Sequence, residues 1–135
     1  MNLNAISSTW GPRLLSVLRI VAGVLFLEHG TQKLFGFPVR LDGGVAPALF
    51  TLFWFAAVLE IVGGALIVLG LFTRPVAFIL SGQMAFAYFI AHAPKSQFPA
   101  LNGGDAAILF CFLFLYLAAA GAGPWSLDAR RRGRF

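Results

Sequence analysis

An apolar run extends from Ala48 to Phe72, and a single carboxylate, Glu60, sits close to its midpoint. Folded as a helix at about 1.5 Å per residue, a run of this length crosses a hydrocarbon core of roughly 30 Å. A carboxylate at the centre of such a span costs about 2.5–3.5 kcal/mol on insertion scales. Neutralisation, a partner or a polar cavity must offset that cost. Which of them does so bears directly on function.

The composition agrees with a membrane setting. Of 135 residues only 11% are charged and 59% are hydrophobic, with a mean hydropathy of +0.85. A soluble domain carries about a quarter charged residues. The chain therefore reads as one integral membrane domain. Its net charge of +5 comes largely from Arg130, Arg131, Arg132 and Arg134. Nothing soluble accompanies that cluster, so it points to positive-inside anchoring rather than to nucleic acid. Cys111 is the sole cysteine and lies in an apolar run, which leaves no disulfide, CxxC pair or thiolate zinc site within the chain. Arg13 and Arg19 precede an apolar stretch as in a signal peptide. Glu28, His29, Gln32 and Lys33 follow it without a small-residue cleavage pattern, which indicates a retained first span.

Breakers divide the chain into four predicted helices, at about 13–34, 47–71, 76–93 and 103–122. Gly36-Phe37-Pro38 stops the first, and Pro47 falls in the first turn of the second. Thr73-Arg74-Pro75 reads as a tight turn, Pro94 closes the third, and Gly121, Gly123 and Pro124 end the fourth. The expected fold is all-α, a polytopic transmembrane four-helix bundle. The loop Phe37-Pro38 to Gly43-Gly44 is echoed by Phe98-Pro99 to Gly103-Gly104, with His29 and His92 upstream of each. That repeat suggests two hairpins related by a pseudo-two-fold axis along the membrane normal. Four spans put both termini on one side with Arg13, Arg19, Arg74 and the tail arginines. Lys33, Arg40 and Lys95 fall on the other, so the termini are expected in the cytoplasm. Trp10 and Trp125 would anchor the same interface.

Counted inward from the outer helix ends, Glu28 lies roughly 12 Å deep, Gln83 roughly 15 Å and Glu60 roughly 18 Å. Tyr88 and His92 share a helix face and lead outward, as do Glu28 and Gln32. Asn102 and Asp105 stand at the mouth of the fourth helix. Together these groups are expected to line a polar cavity. Ala56, Glu60, Gly63 and Gly64 share one stripe of small residues, which turns Glu60 toward neighbouring helices rather than lipid. Each has a plainer reading. Glu60 is then a hydrogen-bonded structural carboxylate, Glu28 a partner of Lys33 or Gln32, and Gln83 an interhelical hydrogen bond. His29 and His92 are then interfacial side chains, and Asn102 and Asp42 helix caps beside their glycine doublets. Two histidines and one cysteine are too few converging donors for a metal, haem or iron–sulfur centre.

These motifs resemble the DoxX family of small membrane proteins. The opening pattern is carried by Leu18-Arg19, Gly23, His29-Gly30, Lys33-Leu34 and Gly36. The most distinctive stretch is Glu60, Gly63-Gly64, Leu69-Gly70-Leu71 and Thr73-Arg74. The closing pattern is Asn102-Gly103-Gly104, then Gly121, Gly123-Pro124 and Ser126-Leu127-Asp128. The resemblance implies a four-helix protein of the bacterial inner membrane associated with redox metabolism, similar to the DoxD-type subunit of thiosulfate:quinone oxidoreductase. It singles out Glu60, His29, Lys33, Arg74 and Asn102.

Two functions follow as expectations. In the first, the helices bind a quinone-like or small apolar molecule. Glu60 and Glu28 handle protons, while Gln83, Tyr88, His29, His92, Gln32, Lys33, Asn102 and Asp105 line the site. No covalent cofactor is expected, and electrons would come from the quinone or from a redox partner protein. In the second, the chain is a non-catalytic subunit that docks redox enzymes, with its arginine-rich tail facing partners or anionic lipid. A small-solute transporter is a weaker third reading, since four helices would need a homo-oligomer to build one.

Overall fold

In the computed structural model, residues 3–40 and 42–133 are described, Asp42 by its backbone alone. Leu41, the Asp42 side chain and Arg134, which enter the loop and tail readings, lie outside the described residues. All regular structure among the described residues is helical.

Helix α1, Leu3–Phe35, begins well before the predicted start near Arg13 and carries Gly11 and Pro12 within it. Ser8, Trp10, Gly11 and Pro12 are all exposed. The carbonyl that Pro12 leaves without an amide partner therefore faces outward, where a proline is tolerated. Helix α2, Leu52–Leu69, starts later than Pro47 because Thr51 is the better cap. Its hydroxyl accepts from the Trp54 amide at 3.4 Å, and Phe50 just ahead has a positive φ of 63° that interrupts any earlier helix. Gly70, in the left-handed region at φ 64°, closes α2.

Thr73-Arg74-Pro75 is not a free-standing turn. It is the first turn of α3, Thr73–Ala87, where a proline's missing amide is no loss. The helix continues into a π turn, Tyr88–His92. Then follow the short α4, Pro99–Asn102, the apolar α5, Asp105–Ala120, and α6, Leu127–Arg132. The sequence did not suggest α6; Ser126 caps it by accepting from the Ala129 amide at 3.1 Å. Three helical stretches, Leu3–Phe35, Leu52–Leu69 and Thr73–His92, are long and apolar enough to cross a membrane. The fourth expected span, Asp105–Ala120, has 16 residues, because Gly103 and Gly121 with positive φ bound it tightly.

The chain divides into two compact units, Met1–Thr73 with Ala122–Phe135, and Arg74–Gly121. In the first, α1 and α2 run antiparallel with their backbones almost touching. A Cβ added to Gly64 would lie 2.8 Å from the Leu27 amide nitrogen, and one added to Gly30 would lie 2.9 Å from the Ala57 carbonyl oxygen. Glycine at both positions is what allows the approach. The buried stripe of α2 is Ala57, Glu60, Gly63, Gly64 and Ile67. Ala57, rather than the expected Ala56, is the fully buried alanine. In the second unit α3 and α5 are antiparallel: Ser81 donates to the Cys111 carbonyl at 2.8 Å, and Arg74 reaches Ala118 and Ala119.

Candidate functional site: a buried carboxylate–ammonium pair

Glu60 is the ninth of eighteen residues in α2, so it sits at mid-helix as the sequence suggests. Its neighbour is Lys33, in the last turn of α1, whose Nζ stands 2.5 Å from Glu60 Oε1. The carboxylate side chain is 2% exposed and the lysine 39%. The antiparallel register explains the meeting. Gly30 lies against Ala57 and Glu60, so Lys33, one turn further along α1, starts one turn beyond the carboxylate toward the end of α1. Its long stem then reaches back along the helix and carries the ammonium to the buried oxygen. The offset demanded by Glu60 is thus a cation drawn from the end of the neighbouring helix.

The other expected residues of α1 fall differently. Glu28 and His29 are exposed and Gln32 is half-buried. His29 Nδ1 lies 2.7 Å from the Leu25 carbonyl of its own helix. Lys33 pairs with Glu60 rather than with Glu28 or Gln32.

In the second unit the structure brings Tyr88, His92 and Asn102 together. Tyr88 and His92 stack with ring centroids 6.4 Å apart, and His92 Nδ1 lies 3.0 Å from the Asn102 carbonyl. Asn102 is buried and closes the loop. Its Nδ2 donates to Ser96 O at 2.9 Å and to Tyr88 Oη at 3.3 Å, while Oδ1 accepts the Gly104 amide at 2.7 Å. Gly104 has no room for a side chain, since a Cβ there would lie 2.6 Å from the Tyr88 ring. Asp105 is exposed in the first turn of α5, and Gln83 is half-buried on α3. The two histidines, expected to be equivalent, have unlike partners. Among the described residues no three His, Cys, Asp or Glu side chains converge as a metal site requires.

A second polar centre of the first unit was missed as such. Arg19, counted above as a surface anchor, is fully buried. Its Nε donates to Ala122 O at 2.8 Å, one terminal nitrogen to Val68 O at 2.6 Å and to Ile67 O, and the other to Trp125 O at 2.5 Å. It thereby caps the C-terminal carbonyls of α2 and ties down the segment after Gly121. Asp128 completes the tie by accepting the Phe72 and Thr73 amides, each at 2.9 Å. Burial pushes the Asp128 carboxyl up, but the Thr73 and Phe72 hydrogen bonds with nearby Arg132 outweigh it and hold it below its ordinary value. Arg74 plays a like part in the second unit, donating to Ala118 O at 3.0 Å and Ala119 O at 2.5 Å.

Comparisons with known proteins identify the family of the chain. The DoxX family profile matches residues 14–93, the segment that holds Arg19, Lys33, Glu60 and Arg74. The chain belongs to the DoxX family. It is 48% identical to an uncharacterized protein of Haemophilus influenzae, over 87% of this chain and 90% of that one. It is 32% identical to an uncharacterized membrane protein of Mycobacterium tuberculosis, over 89% and 82% of the two chains. A protein of Bacillus subtilis named "Putative oxidoreductase CatD" is 26% identical over 83% and 82%. No solved structure gives a significant match. With its apolar helices, this DoxX chain is an integral membrane protein. Two of the residues that the DoxX resemblance singles out, Lys33 and Glu60, form the buried pair. Arg74 and Asn102 serve local closure.

Proposed function

We propose that this DoxX protein is a membrane oxidoreductase component that binds a quinone-like or small apolar molecule beside Lys33 and Glu60, with Glu60 exchanging a proton with it. The observation that carries the reading is the pair itself. A carboxylate at mid-span is rare and functional by default, and this one is tied to an ammonium with a 39% exposed side chain. The buried oxygen suits a proton acceptor beside an apolar ligand, and the exposed lysine gives protons a wet side from which to arrive. The name of the Bacillus subtilis relative supports the redox class. The test is solvent extraction of the purified protein followed by mass spectrometry. A quinone enriched over its ratio in the bulk membrane lipid is expected. Extracts that match the bulk membrane would remove the ligand from the reading.

A second reading, a non-catalytic subunit that docks redox enzymes, is favoured by a specific observation. Lys33 already matches the Glu60 charge, and Arg19, Arg74, Asn102 and Asp128 all work in closing the fold. The Glu60 variants discussed below separate the two.

The proposal places all four apolar helices across the cytoplasmic membrane of a bacterium, with both termini inside. Arg19 drops out of the charge comparison because it is buried on carbonyls. Arg13, Arg74 and the tail arginines still outnumber Lys33, Arg40 and Lys95. Reporter fusions after Phe135 and within the 98–102 loop should give opposite readouts. A C-terminal reporter on the outer side would overturn the orientation.

A further inference from the structure

The end of α2 and the segment after Gly123 enclose a groove of about 440 Å³. It is lined by Val68 and Leu69 from the last turn of the membrane helix together with Trp125, Leu127 and Arg130. We infer that this groove is a binding site for one anionic phospholipid, whose phosphate Arg130 takes while the glycerol and upper acyl chains lie on Leu69, Trp125 and Leu127.

Three observations lead there. The groove opens at the end of a span, where headgroups begin, and Trp125 beside it is 54% exposed, as an interfacial tryptophan should be. The arginines of α6 are differently engaged: Arg131 lies over the Phe72 ring at 5.1 Å, and Arg132 acts on Asp128. Arg130 is the one that lines the groove, and among the described residues no carboxylate forms an ion pair with its guanidinium. A mostly apolar lining with one cation in it is complementary to an anionic lipid, and a guanidinium suits a phosphate in particular. Each part is held from behind: Ser16 accepts the Trp125 amide at 3.1 Å, Arg19 holds the Trp125 carbonyl, and Gly70 accepts the Asp128 amide at 2.9 Å. The groove is therefore preformed, and the inference is independent of the Lys33–Glu60 reading.

The test is native mass spectrometry of the detergent-solubilised protein, incubated with equal amounts of phosphatidylglycerol and phosphatidylcholine of the same acyl chains. The wild type should retain phosphatidylglycerol in preference by roughly five-fold, the effect of one well-placed cation. Arg130→Gln should abolish the preference, Arg132→Gln should keep it, and Leu69→Trp, which fills the groove, should lower retention of both lipids. Arg130 is exposed, so its variant should fold as the wild type does. An unchanged preference in Arg130→Gln would overturn the site. Equal losses in Arg130→Gln and Arg132→Gln would reassign the effect to a diffuse basic tail. Displacement of the lipid by inorganic phosphate would reduce the site to a phosphate site, and capture of an acidic peptide with no lipid preference would make it a protein-docking surface; either result overturns the lipid assignment.

Discussion

Glu60→Gln should leave a protein that accumulates in the membrane and melts close to the wild type but fails to complement a deletion strain. Gln keeps the shape of the side chain and can still accept a hydrogen bond from the Lys33 ammonium, but it cannot titrate. The lysine left behind is 39% exposed and can turn its charge toward water. The reverse change is not equivalent. Lys33→Met strands a carboxylate of 2% exposure without its cation; with the ammonium 39% exposed, the cost is expected below the roughly 3–5 kcal/mol of a fully buried pair. Lys33→Met should therefore lose abundance where Glu60→Gln does not, and the double variant should recover abundance without recovering activity. Abundance and complementation scored side by side for the three variants check this. Full complementation by Glu60→Gln would remove the proton role and leave the docking-subunit reading. Stability of Lys33→Met equal to the wild type would show that the pair does not hold the helices.

The largest effect on folding is expected at Arg19. It is fully buried and donates to the carbonyls of Ile67, Val68, Ala122 and Trp125. Arg19→Met keeps the apolar stem and removes every donor, leaving the carbonyls of Val68, Ala122 and Trp125 without a partner in a place that water enters poorly, while Ile67 keeps the Gly70 amide at 3.1 Å. Each unsatisfied buried acceptor costs about 1–3 kcal/mol. Even if one of the three relaxes, the loss reaches about 2–6 kcal/mol, enough to lower the melting temperature by roughly 10 °C. Arg19→Lys should fall between, because an ammonium is a point donor that cannot spread over four acceptors in a fork. Thermal melting in detergent, with membrane abundance beside it, reads out all three proteins. Wild-type melting of Arg19→Met would show that the arginine serves function rather than fold.

Much of the architecture was legible in the sequence because the bilayer leaves few options. A chain with 11% charged residues and long apolar runs must satisfy its backbone in helices, so the all-α class and three of the four expected spans followed. The small residues around Glu60 correctly turned it away from lipid, and the glycine doublet at 63–64 marked where a neighbouring helix comes close. Helix ends were less legible. Thr51 and Ser126 compete with nearby prolines for the role of boundary, and capping geometry decided both cases. What the sequence alone could not decide was which charge meets which. Lys33 and Glu60 are 27 residues apart, and only the close approach at Gly30 and Gly64 fixes the register that joins them. Arg19 reads as one more basic residue near a helix end. Its burial depends on carbonyls from Ile67 to Trp125 that reach it only once α2 has ended at Gly70 and the last segment has folded back. Local composition sets which segments leave water; the partners of the few charges they carry are set by helix register, which exists only in the folded chain.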